Sequence, residues 1–407
     1  MEKSEFFADA RADLTGPLHG VRVLDVTTSW AGPMAACVLA DLGADVIKIE
    51  ALDGEVTRIL PPDIPGTNLG YVHEAANRNK RSLTLDLHLE RAQQLFLELV
   101  RTADIVVENF RCGALDRWGV GYRGCKAVKD DIIYVSVTGW GQYGPLCERG
   151  GYDPAAQAHS GWMAQNGTPD GPPVKAATWI GDDFAGLHGA IGALAALAHR
   201  SATGEGQHVD VALLDAILFQ SNGFPTLAAM GYPLARWGSE VGQAVPVNTF
   251  ACADGHLFLT VVTDAHWAVL AKLMGRPELG DAAGFATVRE RVENRAAVNA
   301  TVADWCAGLA VDEAVELIGA AGLTVSRINT YADAARDPHV AERETFQPTC
   351  LVDGTIAPLV APPAKFGRTP TRVRHAAPAL GADNAAILGE LGYDDAALDE
   401  LRAARVI

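Results

Sequence analysis

The sequence predicts an α/β fold: a doubly wound layer of parallel strands and helices, followed by a second, smaller α+β domain. Three observations carry this expectation. Short apolar runs alternate with helical segments through the first half of the chain. Several of these runs end at polar or glycine-containing turns, where ligands gather in such folds. Beyond about residue 223 the pattern becomes irregular, then resumes with a hairpin signal and a set of helices. A chain of 407 residues also exceeds what one compact core usually holds.

Val21–Val26 reads as a buried strand. Ala31-Gly32-Pro33 punctuates it, and Met34–Leu42 reads as a helix with Gly43 just past its end. Asp45–Ile49 is a second strand closed by Glu50, completing a βαβ unit. Leu83–Leu85 is expected as a strand, Glu90–Arg101 as an amphipathic helix, and Ile105–Val107 as a strand running into Glu108-Asn109-Phe110. Ile132–Val137 ends at Thr138-Gly139. A long small-residue helix follows Gly181, then the strand His208–Val211 and a second apolar helix. The irregular stretch from Gly223 to Gly242 reads as a linker. Asn248–Val262, turning at Ala253-Asp254-Gly255, reads as a hairpin. A Pro-rich return segment from about Ala332 and a final helix near Ala385–Leu391 close the chain. The expected division is 1–222, 223–331 and 332–407.

Composition narrows the function. Apolar residues make up 49 % and charged residues 20 %, the mix of a globular enzyme. The net charge of −17 repels phosphate backbones and anionic lipid, so neither nucleic acid nor membrane is expected as a partner. Seven dispersed cysteines, with no C-x-x-C pair, read as reduced thiols, and no His or Cys cluster has metal spacing. The acidic N-terminus lacks the apolar run of a signal peptide, and the expected location is cytoplasmic.

The chemistry-bearing motifs each admit a plain structural reading. The first βαβ unit has Trp30-Ala31-Gly32-Pro33 where a dinucleotide fold needs G-x-G-x-x-G, which argues against a nicotinamide enzyme. Asp182-Asp183 precedes an apolar helix. Either carboxylate could cap that helix, or one could be a nucleophile toward an acyl donor; spacing alone leaves both open. Tyr152-Asp153 follows Gly150-Gly151, with Tyr152 reading as a core tyrosine and Asp153 as a turn residue before Pro154. The run Asn77–Ser82 contains Arg78, Lys80 and Arg81 in an acidic chain, so it is either a solvated loop or a phosphate seat. No G-x-S-x-G elbow supports a serine hydrolase.

Four stretches taken in order resemble the class III CoA-transferases, a family that includes formyl-CoA:oxalate and carnitine CoA-transferases and the α-methylacyl-CoA racemases. They are Pro17–Glu50, Asn79–Leu87, Asp104–Gly119 and Gly181–Asp215. The resemblance implies a Rossmann-like large domain with a smaller inserted α+β domain, in an interlocked homodimer. It implies coenzyme A transfer between carboxylic acids, with acyl-CoA as substrate and no prosthetic group. Asp182, in a G-D-x-x-x-G-x-H pattern completed by Gly186 and His188, is the implied nucleophile. Trp30, Tyr152 and Asp153 are the implied substrate contacts; Leu85, Asn109 and Arg117 the implied CoA contacts. Charge adds Lys80 and Arg81 as phosphate candidates. The racemases carry histidine where this chain has Tyr152, and tyrosine is a poor base near neutral pH, so transfer is favoured over α-proton exchange; the presence of Asp182 argues against silent CoA binding.

Overall fold

The computed structural model describes residues 1–407. By internal contacts the chain divides into two compact units. One is formed by residues 1–162, 175–231 and 339–407, the other by 163–174 and 232–338.

The larger unit is built on six parallel strands in the order β3-β2-β1-β4-β5-β6: β1 (Arg22–Val26), β2 (Asp45–Glu50), β3 (Lys80–Thr84), β4 (Ile105–Glu108), β5 (Ile133–Thr138) and β6 (His208–Ala212). The central strands are buried along nearly their whole length, which is why they read as continuous apolar runs. Alternate residues feed opposite faces. Leu24 and Val26 join Leu95, Phe96, Ile387 and Leu398 on one side. Val23 and Val135 join Ala35, Leu39, Ala185 and Ile217 on the other. The helix Glu90–Val100 and the C-terminal helices Asn384–Glu390 and Asp395–Ala403 therefore cover one face. The helices Ala31–Asp41, Ile180–Thr203 and Leu213–Phe219 cover the other.

The second face is packed closely because its helices carry small residues. A Cβ on Gly186 would lie 2.9 Å from the Ala31 carbonyl oxygen and 3.0 Å from Met34 Cβ. The helix Ile180–Thr203 thus sits directly against the helix that follows β1, and this contact sets where Asp182 is presented.

Several expected boundaries are corrected. The helix after β1 starts at Ala31, not Met34; Pro33 falls within its first turn, where its missing N–H has no intrahelical partner to lose. The third strand begins at Lys80, three residues early, because Lys80 and Arg81 pair with Val46 and Ile47 of β2. The stretch read as a linker contains a short helix, Phe224–Ala229. A further helix, Asp395–Ala403, follows the one read as last, and its Leu398 and Leu401 are buried.

The smaller unit holds an antiparallel sheet, β7 (Val247–Cys252), β8 (Gly255–Thr260) and β9 (Thr324–Arg327), with Ala253-Asp254 turning the hairpin. Trp267, Leu270, Val298, Val302 and Ile318 fill its core. A second hairpin, β10 (Phe346–Cys350) and β11 (Ile356–Val360), belongs to the larger unit.

Candidate active site

In the strand order the chain runs outward from β1 on one side and from β4 on the other, so the loops leaving these neighbouring strands part and open a crevice. Their C-terminal ends lead into Thr27–Trp30 and Asn109. A cavity of about 140 Å³ lies there, walled by Thr28–Ala31, Asn109, Arg111, Gly139, Gly150–Tyr152 and Asp182 among others.

The two loops are stitched together. The Asn109 side chain accepts from the Thr28 backbone N–H at 2.9 Å and donates to the Thr28 carbonyl at 2.7 Å. Glu55 adds a second hold, accepting from Ser29 N–H at 3.0 Å and the Thr28 hydroxyl at 3.1 Å. Beneath this loop, Asp25 accepts from Thr27 and from the Lys80 ammonium, the latter at 2.7 Å.

Asp182 and Asp183 occupy the first turn of the helix Ile180–Thr203, and neither acts as a side-chain cap. Capping is done from outside. Asp153 Oδ1 accepts the Gly181 N–H at 2.8 Å, while its Oδ2 accepts from Gln157 Nε2 at 2.7 Å. Gly181 makes this approach possible, since a Cβ there would stand 2.7 Å from Ile217 Cδ1 and 3.0 Å from Asp153 Oδ1. Asp183 is also engaged: Trp30 Nε1 donates to its Oδ1 at 2.7 Å, and the Trp30 ring meets Trp179 edge-on at 5.5 Å between centroids.

Asp182 is left facing the cavity. Burial, then the charges of Asp153 and Asp183, push its carboxyl up to about 7. The positive end of the helix works in the other direction. Burial also pushes Asp183 up, against the Trp30 hydrogen bond that lowers it. A carboxylate that is partly desolvated with like charges nearby is more basic, and in its ionised form more nucleophilic, than an ordinary surface acid.

Of the other expected residues, Trp30, Tyr152 and Asn109 come together at this cavity with Asp182. Tyr152 is 74 % exposed. Asp153, an implied substrate contact, is 1 % exposed, with one oxygen on the Gly181 N–H and the other on Gln157. Leu85 is 2 % exposed and belongs to the core, so its side chain offers no ligand contact. Arg117 is exposed at the end of the short helix Ala114–Arg117 and does not line the cavity.

The phosphate seat expected of Lys80 is corrected. Lys80 is wholly buried, and its ammonium is spent on Asp25, the Pro33 carbonyl and Asn77, all within 2.9 Å. Burying an ammonium is tolerated only with such pairing, and nothing remains for a ligand. Arg81 is paired with Asp45 and Glu390 at the entry end of the sheet, away from the crevice. Both belong to a strand because the basic run lies in register with β2, which the charge pattern masked.

Sequence reasoning missed two residues. Arg111 is the cation of the cavity wall; it directly follows the Asn109-Phe110 pair, and in an acidic chain that neighbourhood was its signal. Glu55 had no signal beyond lying shortly after a strand that ends in Glu50.

The description CoA-transferase family III matches residues 18–384 of this chain. A succinyl-CoA:mesaconate CoA-transferase of Haloarcula hispanica is 35% identical over 389 residues, spanning 93% of this chain and 97% of that protein. A succinate–glutarate CoA-transferase of Agrobacterium fabrum is 35% identical over 385 residues, spanning 92% and 96%. Among solved structures, a CAIB/BAIF family protein from Brucella suis superimposes with a TM-score of 0.83 at 34% identity, covering 93% of this chain and all of that one.

Proposed function

The chain belongs to CoA-transferase family III, and from that premise we propose that it moves coenzyme A from an acyl-CoA to a free carboxylic acid through covalent intermediates on Asp182. The observation that carries the reading is Asp182 itself: it faces the cavity at the strand ends, while its neighbour is held by Trp30 and the helix start is capped by Asp153.

In this mechanism the ionised Asp182 carboxylate attacks the donor thioester carbonyl, and the CoA thiolate leaves an aspartyl–acyl anhydride. The thiolate returns to the aspartyl carbonyl, releasing the donor acid and forming an aspartyl-CoA thioester. The acceptor carboxylate attacks that thioester, again freeing thiolate and forming a new anhydride. Thiolate then attacks the acceptor's acyl carbonyl, giving the new acyl-CoA and restoring Asp182. Each step exchanges one activated acyl bond for another. The site must exclude water, because every intermediate hydrolyses, and backbone N–H groups must meet the developing oxyanions.

Asn109 and Arg111, with Arg117 further out, are the proposed CoA contacts; Trp30 and Tyr152 face the acyl group. Donor chemistry follows from the two relatives, which are named for succinyl-CoA or succinate, so succinyl-CoA is the proposed donor and a small dicarboxylic acid the proposed acceptor. Self-association as an interlocked homodimer is part of the proposal. It is supported by large apolar side chains left exposed on the larger unit, among them Leu187, Ile191, Phe219 and Met230. The proposed compartment is the cytoplasm, where a CoA pool serves such a reaction.

The test is mass spectrometry of the protein after incubation with succinyl-CoA, with hydroxylamine trapping and peptide mapping. A hydroxamate on the peptide containing Asp182 is the expected result. No adduct, together with exchange of α-hydrogen into D₂O, would instead assign α-proton chemistry.

A further inference from the structure

Glu55 does not line the cavity, yet it is bound to two residues that do. Its Oε2 accepts from Ser29 N–H at 3.0 Å and from Thr28 Oγ1 at 3.1 Å. Ser29 has φ of 67°, in the left-handed region that a residue with a Cβ enters at a cost. Such a conformation persists where its surroundings over-determine it. Here they do: Asn109 makes two bonds to the Thr28 backbone, and Glu55 takes the next N–H and the Thr28 hydroxyl.

Glu55 is itself held from behind. Its side chain is 5 % exposed. Its Oε1 meets His73 Nδ1 at 3.3 Å and accepts from Thr57 Oγ1. Its own N–H donates to Glu50 Oε1 at 3.3 Å, and Glu50 is clamped by Arg58 at 2.8 and 2.7 Å. Burial pushes the Glu55 carboxyl up, but the His73 hydrogen bond, the nearby Lys48 charge and the Thr57 and Ser29 donors hold it well below the usual carboxylate range. It is therefore a fixed anion, and a fixed anion is a precise anchor for N–H and O–H donors.

The residue after Ser29 is Trp30, whose indole N–H occupies Asp183. We propose that Glu55 is a positioning residue for the transfer reaction: by pinning the Thr28–Ser29 turn it fixes Trp30, and through Trp30 keeps Asp183 engaged and Asp182 alone toward the substrate. This rests on the reading of Asp182 as nucleophile. A purely structural Glu55 would affect folding but leave the folded enzyme's rate intact, and would act independently of Trp30.

The experiment measures single-turnover adduct formation with succinyl-CoA, and steady-state kcat and KM, for wild type, Glu55→Gln, Trp30→Phe and the double variant. Glu55→Gln is expected to slow adduct formation about ten- to a hundredfold, the scale of a small misplacement at a reacting centre, with KM for succinyl-CoA within about threefold. Trp30→Phe should slow it comparably. The double variant should be within about threefold of the slower single, because both changes break one chain of contacts. Wild-type rates in Glu55→Gln, or rate losses that multiply in the double variant, would overturn the inference. If Glu55→Gln gives no folded protein, Thr28→Val removes only the hydroxyl bond to Glu55. It should lower the rate several-fold, and an unchanged rate would overturn the inference equally. A wild-type enzyme that forms no adduct takes down the Asp182 reading first and this one with it; a normal wild type with an unaffected Glu55→Gln takes down this one alone.

Discussion

Trp30 and Asp183 are joined by a 2.7 Å hydrogen bond from the indole Nε1 to the carboxylate Oδ1, across 153 residues of sequence. That bond distinguishes the surroundings of two adjacent acids. Asp183 is engaged and turned toward Trp30, while Asp182 borders the cavity.

Replacing Asp182 with Ala is expected to abolish transfer, by at least about a thousandfold as for loss of a covalent nucleophile, while CoA still binds. Asp183→Asn should retain trapping on the Asp182 peptide at a rate lowered about tenfold. Hydroxylamine trapping with peptide mapping checks both; an adduct on the Asp182→Ala protein would move the nucleophile elsewhere.

Because the Asp182 carboxyl is pushed up to about 7, its ionised form, the one the proposed mechanism uses, is the minor one in mild acid. The expected kcat/KM for acyl-CoA rises about tenfold per pH unit up to that value and then levels. A profile already flat from pH 5 to 8 would contradict it.

The same shift has a consequence for stability. Between the ordinary value of 3.8 and about 7, the folded protein holds a proton on Asp182 that the unfolded chain has released. Stability contributed by this group is therefore full below 3.8 and is lost as pH rises toward 7. Glu74 and Glu108, both pushed up to about 7 chiefly by burial, act in the same sense. Asp182→Asn should therefore raise stability at pH 8 by about 1–3 kcal/mol, and reduce but not remove the slope. Urea midpoints at pH 5 and pH 8 measure this.

Lys80→Met should destabilise by about 3–5 kcal/mol, since it leaves Asp25 buried without its closest cation. The KM for acyl-CoA of the protein that folds should change less than about twofold, the outcome that separates a structural lysine from a phosphate seat. Chemical denaturation and steady-state kinetics decide it.

Much of the scaffold was legible in the sequence, because buried parallel strands need unbroken apolar runs and their connections need turns. The apolar runs around Leu24, Ile47, Val106 and Val135 and the helix after Gly181 could be read directly. Asp395–Ala403 was not, since its burial depends on a sheet face assembled more than two hundred residues earlier in the chain.

What the sequence determined by itself was the alternation of strands and helices, the expectation that ligands gather at the loops leaving the strand ends, and the resemblance that singled out Asp182; the strand order that opens a crevice between β1 and β4 came from the structure. What only the tertiary structure decided was the environment of each charge. Lys80 looked like a free cation and lies sealed against Asp25. Asp153 read as a turn acid or an implied substrate contact and holds the N–H of Gly181 at the start of the helix Ile180–Thr203. Glu55 carried no signal of its own in the sequence and anchors the turn before Trp30. Spacing along a chain reports which side chains share a local element. Burial and hydrogen-bond partners depend on which distant elements close over them, and those fix whether a charge is free to react.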